Sequence, residues 1–308
     1  MESASRQRMR LACGAELSFV TAGNPSRPTV LLLHGFPNSS VMFDEIVDGL
    51  ADVAHIVAPD LPGFGESDVL PVTSFPAMGE AVAELVDRLS VGPRYIYLHD
   101  FGAPVGLHVA MRSPSDVLGL IIQNANAHRT GLGPQWAATE AFWADPSPRN
   151  EAAATAHLTL DGTRDQYVAG VPEDIAASIS ADRWAEDWRV MNLPGRMEAQ
   201  RALIADYGNH VARFGEIGDY LRHWQPRALL LWGRHDVFFD LAEVASWMED
   251  LPRMEAHVLD AGHLMLETHS AAALPLISAF IRASRTEPDA ARLHPDAGGL
   301  GDPLRGSG

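Results

Sequence analysis

The chain has 308 residues, 46% of them hydrophobic and 20% charged, a composition that fits a globular protein and excludes a disordered or collagen-like one. Forty acidic residues against 23 basic ones give a formal net charge of −17, which speaks against nucleic acid or an anionic membrane surface as a partner. The single cysteine, Cys13, excludes an intrachain disulfide framework and a cysteine-rich zinc site. No apolar run approaches the roughly 20 residues needed to cross a bilayer. Residues 1–10 are polar and lack the apolar stretch of a secretory signal, so a cytoplasmic location is expected.

Along the chain, short apolar runs occur at 30–33, 55–58, 95–98, 118–122, 228–232 and 256–259. They are continuous rather than alternating, as in strands buried on both faces of a parallel sheet. Between them, Met78, Val82, Leu85, Val86 and Leu89 keep helical spacing and predict a helix over 78–89; a second is predicted over 105–111. This rhythm predicts the α/β class, a mostly parallel central sheet flanked by helices. It stops at about residue 127 and resumes at about 224. The stretch between holds Trp136, Phe142, Trp143, Trp184, Trp188 and helix starts such as Pro172-Glu173-Asp174, and predicts a helical insertion on the sheet. The expected organisation is a core of 1–126 and 224–283, a helical cap of 127–223, and a flexible tail of 284–308.

The most informative segment is Tyr95-Ile96-Tyr97-Leu98-His99-Asp100-Phe101-Gly102. A buried strand ends, a sharp turn carries Asp100, and a helix follows, with Gly102 where a tight elbow leaves no room for a side chain. Such elbows usually present serine. A serine hydroxyl needs a base before it can attack, whereas a carboxylate is already ionised at neutral pH. Carboxylate attack suits displacement at an sp3 carbon bearing a leaving group and yields an alkyl ester of Asp100. Read alone, Asp100 is equally well a helix cap. Its neighbours in chain order decide between the two. Asp236 follows the strand at 228–232 and His263 follows the strand at 256–259, so all three residues fall at the carboxyl ends of strands, where open α/β sheets bind ligands. Asp236 would orient the imidazole of His263, which would activate water against the ester. The backbone N–H groups of Phe36, in His34-Gly35-Phe36-Pro37, and of Phe101 would form the oxyanion hole. The glycines and proline of Asp60-Leu61-Pro62-Gly63-Phe64-Gly65-Glu66-Ser67 are expected to be structural.

On these motifs, together with Gly233-Arg234-His235-Asp236 and Gly262-His263, the chain resembles the α/β-hydrolase superfamily. The resemblance is to the branch of soluble epoxide hydrolases and haloalkane dehalogenases, and it spans nearly the whole expected fold. Dehalogenases of that branch hold the departing halide with side-chain N–H groups directly after the nucleophile and after the His-Gly pair. Here those positions are Phe101 and Phe36, which have none, and Asn38 is out of register. Epoxide hydrolases use two cap tyrosines on the ring oxygen. The resemblance implies Tyr167, in Asp165-Gln166-Tyr167, and Tyr207, in Asp206-Tyr207-Gly208-Asn209, for those roles. Tyr95 and Tyr97 are expected in the core. Trp184 and Trp188, four apart on one helix face, and His34 and Pro37 are expected near substrate, with a cap indole as a substitute donor. The expected function is opening of an apolar epoxide to a vicinal diol, without metal or organic cofactor. Alternatives are a haloalkane dehalogenase, an ester or lactone hydrolase, and a non-catalytic receptor on the same fold. A homodimer is left open.

Overall fold

The computed structural model describes residues 4–283. Eight strands form one sheet in the order β1-β2-β4-β3-β5-β6-β7-β8. They are β1 (Ser5–Arg10), β2 (Glu16–Ala22), β3 (Thr29–Leu33), β4 (His55–Pro59), β5 (Arg94–His99), β6 (Val117–Gln123), β7 (Ala228–Gly233) and β8 (Glu255–Leu259). The β1–β2 and β2–β4 pairs are antiparallel, and every later pair is parallel. The six expected strands are therefore present. The antiparallel β1 and β2 are additional: β1 reads Ser-Arg-Gln-Arg-Met-Arg and lies almost wholly exposed at the sheet edge, so it carries no apolar run. Polar, basic edge strands of this kind deter pairing with other chains.

Helices cover both faces. On one face α1 (Asp44–Ala51) and α12 (Leu266–Ala283) bury Ile46, Val47, Leu50, Ile277 and Phe280 against β3, β4 and β6. On the other, α2 (Phe75–Arg88) and α3 (Gly102–Arg112) pack Met78, Val82, Leu85, Val105 and Leu107 against the same sheet. Each such aliphatic side chain contributes about 1.5–3 kcal/mol by leaving water. The start of α2 is fixed by Ser74, whose hydroxyl accepts the Ala77 N–H, and by Pro76 in the first turn.

Between β6 and β7 the described chain is helical: α4 (Ala137–Ala144), α5 (Pro148–Ala154), α6 (Leu160–Val168), α7 (Glu173–Ala176), α8 (Ala181–Met191), α9 (Arg196–Ala212) and α10 (Phe214–Trp224). Leu203, Ile204, Tyr207, Ile217 and Leu221 of α9 and α10 join the main core, whereas Tyr167 of α6 and Ile179 pack in a small separate cluster. Beyond β7, α11 (Ala242–Asp250) buries Trp247. The tail expected at 284–308 lies outside the described residues. Among the described residues no helix is long and apolar enough to cross a membrane.

Candidate active site

Asp100 is the first residue past β5 and takes φ of +46°, the left-handed region that is costly for any residue with a Cβ. The surroundings impose it. A Cβ on Gly102 would collide with the carbonyl oxygens of Leu33 and His34, and one on Gly35 would overlap Asp100 itself. Two chain segments thus cross with only glycine-sized clearance, and the Asp100 side chain is aimed out of the sheet over the turn after β3. That turn, whose Phe36–Pro37 peptide is cis, donates the Phe36 N–H to Asp100 Oδ1 at 2.6 Å, and the Phe101 N–H also acts on the carboxylate. Burial pushes the Asp100 carboxyl above its ordinary value, while His263 and those two N–H groups pull it back.

His263 Nδ1 lies 2.8 Å from Asp236 Oδ2. Asp236 is held in turn: Oδ1 accepts from the N–H groups of Phe238 and Phe239, and Oδ2 accepts from the Asn124 amide at 2.8 Å. With Nδ1 directed to a carboxylate, Nε2 is the free basic nitrogen. It has no hydrogen-bond partner and stands 3.8 Å from Asp100 Oδ2, beyond hydrogen-bond length. Burial would lower the His263 pKa, but Asp236 and Asp100 outweigh it and hold the imidazole above its ordinary value. His99 lies beside it, tilted by 43° with ring centres 4.8 Å apart, and burial keeps that ring neutral.

The structure brings Asp100, Phe36, Phe101 and Tyr207 to one cavity of about 290 Å³ between the sheet and the insertion. Tyr207 is fully buried; its hydroxyl lies near the Asn126 amide without a hydrogen bond of normal geometry. Burial and the charge of Asp100 push it well above the usual phenol range, so it stays protonated. Aromatic side chains pack around it, with Trp136 at 4.7 Å and Phe101 at 5.9 Å between ring centres.

Five other expected residues stand elsewhere. Tyr167 points away from the cavity and bonds to Asp187 and Asn38. Successive helical residues are turned by about 100°, so α6 presents Gln166 to the cavity and Tyr167 to α8. Trp184 packs on Tyr167 at 5.7 Å and Trp188 on the main core; neither lines the cavity, whose indole is that of Trp136. His34 is fully buried beneath the turn, its Nδ1 at the Gly35 carbonyl and its Nε2 accepting the Leu61 N–H. Burial lowers its pKa to about 4, so it is a neutral structural group. Pro37 shapes the same turn and does not line the cavity. Sequence reasoning missed Asn124, Gln166 and His157. Asn124 sits one residue past β6, a position that could have singled it out; the other two depend on how the insertion helices are rotated.

A family model described as alpha/beta hydrolase fold matches residues 28–270. The chain belongs to the alpha/beta hydrolase fold family. This alpha/beta hydrolase is 32% identical over 280 residues to "Uncharacterized hydrolase YNR064C" of Saccharomyces cerevisiae, covering 89% of this chain and 96% of that one. It is 25% identical over 293 residues to a cis-3-alkyl-4-alkyloxetan-2-one decarboxylase of Shewanella oneidensis, covering 89% and 87%. Its fold is similar to the solved structure of epoxide hydrolase CorEH, with TM-score 0.73 and 22% identity over 91% of this chain and 99% of that one.

Proposed function

We propose that this alpha/beta hydrolase opens epoxides to vicinal diols in two steps, with residues 127–223 acting as the cap over the substrate. In the first, Asp100 Oδ2 attacks a ring carbon. The ring C–O bond breaks, and its electron pair passes to the oxygen, which takes a hydrogen bond and then the proton from Tyr207. In the second, His263 Nε2 removes a proton from water, which attacks the ester carbonyl. The tetrahedral oxyanion on Oδ1 is held by the N–H groups of Phe36 and Phe101. Collapse breaks the Cγ–Oδ2 bond, the departing alkoxide takes the proton back from His263 to give the diol, and the new Asp100 carboxyl returns the second water proton to the Tyr207 oxygen.

The observation that carries this reading is the pairing of two features at one cavity. Oδ1 already sits on the Phe36 N–H, leaving Oδ2 to attack, and Tyr207, whose phenol stays protonated, lines the same space. Gln166 and His157 also line it. His157 is held neutral by burial, and the Ala154 backbone acts on its ring, so the Gln166 amide is the better second donor. A haloalkane reading fares worse. The Trp136 indole N–H, the one nearest the cavity, is committed to the Phe238 carbonyl at 2.8 Å, and no phenylalanine side chain can bind a halide through N–H.

The test is intact-protein mass spectrometry of His263→Gln with a panel of alkyl and aryl epoxides. An adduct of epoxide mass on Asp100 should accumulate, and Tyr207→Phe on the His263→Gln background should form it about 10–100-fold more slowly. No adduct from any epoxide overturns the reading. Turnover of oxetan-2-ones in place of epoxides would favour the strained-lactone chemistry named for the Shewanella relative.

A further inference from the structure

Two residues past the oxyanion donor, the turn after β3 meets the insertion through a largely buried polar cluster that the reaction above leaves unused. The Asn38 amide donates to the Tyr167 hydroxyl and to Asp187 Oδ2, each at 2.6 Å, and the Tyr167 hydroxyl donates to the same Oδ2 at 2.5 Å. The Asn38 N–H also closes the turn on the Gly35 carbonyl at 3.0 Å. One residue therefore ties the peptide that carries the Phe36 N–H to both α6 and α8. Asn38 and Tyr167 are buried, and Asp187 is half-buried. Burial pushes the Asp187 carboxyl up to about 7, and the donors Tyr167 and Asn38 pull it back.

Apolar residues could fill this volume, but they would not fix direction; hydrogen bonds do. The same two helices reach the other half of the site. One turn before Asp187, Arg183 pairs with Glu267 at 2.7 Å, and Tyr167 shares a small apolar cluster with Leu264, the neighbour of His263. A Cβ on Gly262 would collide with Val171.

We propose that Asn38, Tyr167 and Asp187 are positioning residues that hold the Phe36 N–H on Asp100 Oδ1, so that α6 and α8 of the insertion set the oxyanion hole. The proposal rests on the two-step reading for its kinetic consequence but not for its structural one. In ester formation negative charge leaves Asp100, so a displaced donor does little harm. In ester hydrolysis charge returns to Oδ1, and the same displacement raises the barrier.

The experiment combines two readouts on the full chain. In protein labelled with 15N-phenylalanine, the Phe36 amide, assigned by its loss in Phe36→Leu, should resonate far downfield. It should move upfield in Asn38→Ala and Tyr167→Phe while the bulk of the phenylalanine amides stay in place. Single-turnover hydrolysis should fall about tenfold in both variants, with ester formation changed less than about twofold. Tyr167→Phe, which removes one oxygen, carries the test if Asn38→Ala does not fold. An unmoved Phe36 amide in Tyr167→Phe, or both steps slowed alike, overturns the proposal. A moved amide in an enzyme whose His263→Gln variant never takes up an epoxide would instead overturn the epoxide reading and leave the positioning cluster standing.

Discussion

The nucleophile position rests on missing atoms as much as on present ones. Asp100 keeps a left-handed backbone because Gly35 and Gly102 let two loops cross beneath it. A methyl group at residue 35 would lie 2.6 Å from Asp100 Oδ1, the atom that accepts the Phe36 N–H. Gly35→Ala should therefore displace either the carboxylate or its donor and cost about 100-fold in turnover, since sub-ångström placement governs such reactions. Steady-state rates beside the melting temperature check this. A loss of activity no larger than the loss of folded protein would mean that the turn accommodates the methyl. At the same scale, the Asp100 elbow, Asp236 and His263 were legible because each follows a recognisable strand. Tyr167 was misplaced because a rotation of one residue about α6 exchanges it with Gln166, and nothing in a sequence fixes that rotation before the helix has neighbours.

Strands buried on both faces announced themselves by continuous apolar runs, and helix α2 by its spacing. Edge strand β1, with four arginine, glutamine or serine side chains before its methionine, carries no such run. Polar ties across the sequence were equally invisible. His128, at the entry to the insertion, lies 2.9 Å from Glu243 and 3.0 Å from Asp250 at the two ends of α11, more than a hundred residues away. Burial would lower its pKa, yet the two carboxylates outweigh burial and raise it above 6.5. A cation so stabilised in the folded state contributes stability in full below 6.5, and that stability is lost as pH rises through the higher folded value. Thermal melts of the protein should decline over that range, and His128→Gln should remove the part of the decline due to this tether. Parallel curves for the two proteins would show that the pair of bonds is energetically silent.

For the molecule as a whole, Asp187 sets a second constraint of the same sign at lower pH. Its carboxyl titrates near 7 when folded and has an ordinary value of 3.8, so the folded state holds its proton more tightly. That contribution is complete below 3.8 and disappears as pH rises toward 7. Asp187→Asn should accordingly gain stability relative to the parent between about pH 4 and 7, read as a widening difference in melting temperature. A constant difference across that interval would mean that Asp187 is ionised throughout. The wall of the cavity has a further consequence. Its one nearby indole N–H is turned into the backbone, and Phe36, Phe101, Phe238 and Phe239 surround Asp100, so the remaining polar lining comes from the insertion: Gln135, Thr139, His157, Gln166 and Tyr207. Under the proposed reading, a guest's own polar groups away from Asp100 would find company only on the side of the cavity that the insertion forms.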